Sequence, residues 1–197
     1  MPERIVIFVQ GAGEGAHRED AKLANDLGRR LGAGYRVRFP AMPNEADADY
    51  ATWAKTILEE IAAAGDGAIL AGHSVGGSVA IKLMTGRPPK QSVAGLFLIS
   101  APFWHDDDFW HWKEARLPPD AAARLPDGMP LFLYHGRDDK TVPFGQLEMY
   151  AKVFPQATVH RLPGRDHQLN GDLSEVARDI RNSGLSESYT SALSHGG

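Results

Sequence analysis

An alternation of short apolar runs with amphipathic helical stretches predicts an α/β protein. The expected form is a three-layer α/β/α sandwich of about six mainly parallel strands. Three observations carry this. Runs such as Ile5-Val6-Ile7-Phe8-Val9 are apolar throughout rather than alternating, as strands covered on both faces require. Between them, apolar residues return at helical spacing, as at Leu23, Leu27 and Leu31. One passage, Gly72-His73-Ser74-Val75-Gly76, joins an apolar run to a helical pattern through a glycine-flanked serine.

The elements follow in order. Ile5 to Val9 is the first strand, followed by a glycine-rich turn from Gln10 to Gly15 and a helix from about Arg18 to Leu31, which Gly32 and Gly34 stop. Tyr35 to Phe39 is a second strand, ended by Pro40 and Pro43; Tyr50 to Ala64 is a helix with Trp53, Ile57, Leu58 and Ile61 on one face. Ala68 to Ala71 is the third strand, and Gly77 to Met84 the helix beyond the serine turn. Val93 to Ser100 and Pro130 to His135 are strands, Phe144 to Phe154 a helix, Thr158 to Leu162 the last strand and Leu173 to Arg181 the last helix. We expect one domain over 1–181, with a serine- and glycine-rich, frayed tail over 182–197. The stretch 102–128 interrupts the alternation. It sets Phe103, Trp104, Phe109, Trp110 and Trp112 among His105, Asp106, Asp107, Asp108 and His111, and is expected to be a small lid or pocket wall.

Composition excludes several classes of function. The 197 residues suffice for one substantial core, and a formal net charge of -4 without a basic block gives no footprint for nucleic acid. With no cysteine, thiol catalysis, disulfides and cysteine-based zinc sites are ruled out. The apolar run at the N-terminus is too short to span a membrane and lacks a signal-peptide pattern, so a soluble, cytoplasmic protein is expected. Oligomeric state is not readable.

Ser74 stands where a sharp strand-to-helix turn would expose a hydroxyl, and Gly72 and Gly76 stand where a Cβ would crowd the adjoining strand and helix. A serine hydroxyl needs a neutral imidazole to take its proton and a carboxylate to orient that imidazole. Two later strand ends supply these in order. Gly136-Arg137-Asp138-Asp139-Lys140-Thr141-Val142-Pro143 carries two carboxylates, and Pro163-Gly164-Arg165-Asp166-His167 carries one histidine.

On these three motifs the chain resembles the α/β hydrolases from its first strand to its last helix. The resemblance of residues 136–143 to the family's G-x-x-D-x-x-V-P pattern implies Asp139 rather than Asp138 as the acid. It likewise implies Ser74 as nucleophile, His167 as base, and the backbone amides of Val75 and Ala12 as oxyanion donors. Gln10 stands where many relatives carry histidine, which makes Gly13 an alternative donor to Ala12. Small size, the absence of a long cap and the Ala41-Met42-Pro43-Asn44 loop resemble the compact retinoblastoma-binding-type serine hydrolases and their bacterial relatives. The implied activity is hydrolysis of a carboxylic ester, thioester or amide through an acyl-enzyme. The partners are a small acyl substrate and water, with no cofactor and no metal.

Competing readings are weaker. Gly11, Gly13 and Gly15 could form a dinucleotide turn, but the second strand ends at Phe39-Pro40, without the acidic residue that such a site needs. His105 and His111, six residues apart, lie on no single helix face, and no family pattern asks for a metal there, which argues against a metal site. His17, His73, His135 and His160 are expected to pack or hydrogen-bond locally. A binding or scaffold protein on the same fold, and a carbon-carbon bond hydrolase or cofactor-free peroxidase using the same residues, are the alternatives in function.

Overall fold

The computed structural model describes residues 3–105 and 112–183. The chain folds as β1 (Arg4–Val9), α1 (Ala16–Leu31), β2 (Tyr35–Arg38), α2 (Tyr50–Ala64), β3 (Ala68–His73), α3 (Val75–Gly86) and β4 (Val93–Ile99). It continues as α4 (Ala121–Arg124), β5 (Leu131–Gly136), α5 (Gly145–Val153), β6 (Thr158–Leu162) and α6 (Ser174–Asn182). The six strands form one sheet in the order β2-β1-β3-β4-β5-β6, every neighbouring pair parallel.

Strand alternation splits the core into two faces. Val6, Phe8, Ile69, Ala71, Phe97 and Ile99 point toward α1 and α6, where Leu23, Leu27, Val176 and Ile180 meet them. Ile7, Val9, Leu70, Leu96, Leu98 and Leu133 point the other way, toward Trp53 and Ile57 of α2, Val79 and Leu83 of α3 and Leu147 of α5. Because both faces are covered, the central strands are apolar through their middles, and their ionisable residues, Arg4, His73 and His135, stand at or next to their ends. The edge strands β2 and β6 carry Arg36 and Arg161 at exposed positions.

Strand order also fixes where a site can form. The chain steps from β1 outward to β2, then returns past β1 to β3 and builds in the opposite direction. Loops leaving the carboxyl ends of β1 and β3 therefore part to opposite faces and leave a crevice between them. The turn after β1 and Ser74 after β3 both sit there.

Most boundaries shift by a residue or two from the sequence expectation, and two of the shifts bear on the site and the tail. β3 runs on to His73 and α3 starts at Val75, so strand and helix meet at the single residue Ser74. Gly76 and Gly77 are helical because packing of α3 onto the sheet outweighs their low propensity. α6 extends through Asn182, one residue into the expected tail; residues 184–197 lie outside the described part.

The interrupting stretch is not a free flap along its described length. Ala121, Leu125 and Met129 are buried in the α2/α3/α5 core, with Trp112 and Leu117 packed against it, and Ala115 is buried as well. The Pro102 carbonyl accepts hydrogen bonds from Ser78 Oγ (2.7 Å) and Tyr150 Oη (2.8 Å), and the Gln146 side chain accepts the Phe103 amide at 2.7 Å. Asp106, Asp107, Asp108, Phe109, Trp110 and His111, the centre of the expected lid, lie outside the described residues.

Candidate active site

Ser74 is held at φ 50°, ψ −126°, a conformation costly for a residue with a Cβ and stable only where its surroundings enforce it. They do so from both sides. Its amide donates to the Ile99 carbonyl at 2.8 Å, tying the turn to the end of β4, and its carbonyl accepts the Gly77 amide at 3.0 Å. A Cβ on Gly72 would lie 2.6 Å from the Gly77 nitrogen, and one on Gly76 would collide with the Val9 and Gln10 carbonyl oxygens. Those two glycines therefore let strand, turn and helix close on one another.

The turn after β1 approaches Ser74 from the neighbouring strand: a Cβ on Gly11 would be 3.2 Å from that of Ser74. It is held by a residue that sequence reading missed. Glu45, in the loop before α2, accepts the amides of Gly15 (2.8 Å) and His17 (2.7 Å) and the Gln10 side-chain amide (2.7 Å). The Glu45 carbonyl accepts the Gly13 amide at 2.6 Å. It thus caps α1, whose own N-cap, Gly15, has no side chain to do so. Its hydrogen bonds, first that from the His17 amide, hold the Glu45 carboxyl below its ordinary range. Gln10 is buried and spans the same gap, its oxygen accepting the Met42 amide at 3.0 Å. The Gly13 amide is thus already engaged, whereas Ala12 is exposed. Val75, half-buried, opens α3, so its N–H belongs to the first helical turn, where amides have no intrahelical acceptor.

His167 and Asp139 meet across the loops that follow β6 and β5. His167 Nδ1 lies 2.8 Å from Asp139 Oδ2. The two loops are in backbone contact, the Asp138 amide donating to the Arg165 carbonyl at 3.0 Å. Asp138 itself is exposed and Asp139 buried. Asp139 accepts further hydrogen bonds from the amides of Thr141 (2.8 Å) and Val142 (2.9 Å), and His135 Nε2 stands 3.1 Å from Oδ2. Burial opposes ionisation of Asp139, but hydrogen bonds from His135 and His167 and from the Val142 amide outweigh it. The carboxyl is held well below the usual range. Because Asp139 is an ionised acceptor, His167 carries its proton on Nδ1 when neutral, which leaves the Nε2 lone pair free.

His73 links the two halves. Its ring centroid is 4.7 Å from that of His167, so the chain neighbour of Ser74 touches the histidine at the other end of the site. Among the described residues no hydrogen bond joins Ser74 Oγ to His167, an interaction that is often loose in unliganded sites and tightens with substrate. Behind His73 stands Asp20 of α1, Oδ2 2.8 Å from Nδ1. Sequence reading missed Asp20 as well, although a signal was present: it falls on the same helical stripe as Leu23, Leu27 and Leu31, and a carboxylate there must be buried.

The model of the alpha/beta hydrolase family matches residues 6–180. The chain belongs to this family. Solved structures sharing the alpha/beta hydrolase fold include the monoacylglycerol lipase of Paleococcus ferrophilus, with 17% identity, 94% of this chain and 96% of that one covered, and a TM-score of 0.68. Est1E from Butyrivibrio proteoclasticus with ferulic acid bound shares 16% identity over 93% of this chain and 89% of that one, at a TM-score of 0.69. A meta-cleavage product hydrolase matches at 16% identity over 90% and 89%, with a TM-score of 0.68. At these identities the alpha/beta hydrolase likeness is one of fold. No curated protein sequence matches the chain at a significant level.

Proposed function

We propose that this alpha/beta hydrolase is a serine hydrolase that cleaves a carboxylic ester, or a thioester or amide, through an acyl-enzyme. The observation that carries the reading is the convergence of a strained, glycine-flanked Ser74 with the His167–Asp139 pair, bridged by the 4.7 Å contact between the His73 and His167 rings.

In this reading Ser74 Oγ attacks the acyl carbon while His167 Nε2 takes its proton. Asp139 steadies the imidazolium through the Nδ1–H bond. The amides of Ala12 and Val75 receive the oxyanion, worth on the order of 3 kcal/mol per donor in the transition state. His167 then gives the proton to the leaving alcohol, thiol or amine, and water repeats the sequence on the acyl-enzyme. The Glu45 clamp supports this by fixing the turn that presents Ala12. The compact sheet and the 41–44 loop support a place near the retinoblastoma-binding-type hydrolases, and a cytoplasmic location belongs to the same proposal. Among the described residues no helix is long and apolar enough to cross a membrane.

Rapid quench of the protein with a series of p-nitrophenyl esters, followed by intact mass and peptide mapping, tests it. An acyl adduct on Ser74 that forms and decays, and that is absent from Ser74→Ala, is expected. Nitrophenol release without any Ser74 adduct would contradict it.

A further inference from the structure

We infer that His73 is a permanently charged imidazolium, neutralised by Asp20, and acts as the positioning residue for the loop that carries His167. The inference rests on the proposed role of His167 and extends it to a second, sealed aspartate–histidine pair.

Hydrogen-bond accounting leads there. His73 Nε2 lies 3.0 Å from the backbone carbonyl of His167. A carbonyl only accepts, so Nε2 carries a proton. Nδ1 lies 2.8 Å from Asp20 Oδ2, and Asp20 is already an acceptor on both oxygens: Oδ2 takes the Gly11 amide at 2.7 Å and Oδ1 the Gln168 side-chain amide at 2.9 Å. An oxygen pair receiving two outside donors is best satisfied as a carboxylate. Nδ1 then donates as well, and the ring bears both protons. Both side chains are 2% exposed, so neither charge is tolerable without the other. Burial alone would push His73 down and Asp20 up. The bond between them reverses both tendencies, raising His73 and lowering Asp20.

The placement has two consequences. Asp20 ties together the turn that carries Ala12, through Gly11, and the His167 loop, through Gln168 and the His73 relay. It thereby sets the distance between the two sides of the crevice. The imidazolium also lies against the His167 ring, so its charge opposes a second positive charge there. The charged or titratable groups facing this pair of rings are Asp20 from α1, Asp139 from the loop after β5 and, behind Asp139, His135. Removing the His73 charge takes away that opposing positive neighbour of the His167 ring.

Nitrogen-15 NMR of the ring nitrogens in the wild-type chain is the first arm and needs no turnover. Two protonated nitrogens on His73 from about pH 5 to 8 are expected; a neutral ring anywhere in that range overturns the proposal. The second arm is the pH dependence of Ser74 inactivation by a fluorophosphonate. In His73→Gln, which keeps an amide donor for the His167 carbonyl but no charge, the acid limb moves to higher pH by about one unit. His73→Leu shifts it likewise and also lowers the rate at the plateau. A purely structural His73 would lower the plateau without moving the limb, and that result contradicts the inference. If either variant fails to fold, the wild-type NMR arm still decides. If the wild type does not react with the fluorophosphonate at all, the serine hydrolase reading fails while the state of His73 is still read.

Discussion

Two aspartate–histidine pairs sit side by side with the same geometry, Nδ1 to Oδ2 at 2.8 Å, and face different surroundings. In the first, His73 is sealed, its second nitrogen spent on a backbone carbonyl. In the second, His167 is 17% exposed and its Nε2 has no hydrogen-bond partner among the described residues. A pair whose histidine has both nitrogens committed can only hold structure together. One with a free nitrogen beside a strained serine can move a proton. The comparison teaches that the aspartate–histidine bond by itself does not mark a catalytic group; what the far nitrogen faces does.

The comparison is broken most severely at the open pair. His167→Ala, like Ser74→Ala, should reduce ester turnover by on the order of 10³-fold or more while leaving the urea midpoint nearly unchanged, because its ring is part-exposed and only one side is bonded. Asp139→Asn should cost on the order of 10²- to 10³-fold in turnover, since an amide no longer enforces the Nδ1 tautomer, whereas Asp138→Asn should change it less than about twofold. Equal losses from the two asparagine variants, measured on the same ester, would remove Asp139 from its role.

How much of this was legible in the sequence follows from the physics of each part. The run Ala68 to Ala71 and the small residues from Gly72 to Ala80 spell a strand, a tight turn and a helix, because steric demand there is local in the chain. The loops that bring Asp139 and His167 together are legible because each follows a stretch expected to be a strand and found as one, β5 and β6. Glu45 was not: it lies in a loop 28 residues from the His17 amide that it accepts, and only the parting of the chain around β1 brings them together. Asp20 was overlooked because aspartate on a helix reads as solvent-facing unless its place on the leucine stripe is checked. Along 102–128 the aromatic residues dominate the pattern and suggest a small lid or pocket wall, while the small residues buried in its second half, Ala115 and Ala121, carry little signal of their own packing.

At the sealed pair the effect should be on stability first. Asp20→Asn or His73→Ala leaves one buried charge without its partner and should destabilise by about 3 kcal/mol, read from urea unfolding. The pH dependence sharpens the contrast further. Asp20 and Asp139, both depressed in the folded state, contribute stability that is present above about pH 4 and lost as pH falls through their folded values. His73, raised in the folded state, contributes stability that is complete below about pH 6.5 and lost as pH climbs through its folded value. Urea midpoints across pH should therefore flatten on both the acid and the alkaline side in Asp20→Asn, but on the acid side alone in Asp139→Asn. The smallest expected effect is this difference in curvature.

The claim that the open pair serves an activated nucleophile is tested most directly by labelling the folded protein with a fluorophosphonate and mapping the adduct. A single adduct on Ser74 in the wild type, lost in His167→Ala although that variant remains folded, is the predicted result. A folded wild type that takes no label, or that is labelled at another serine, would contradict it.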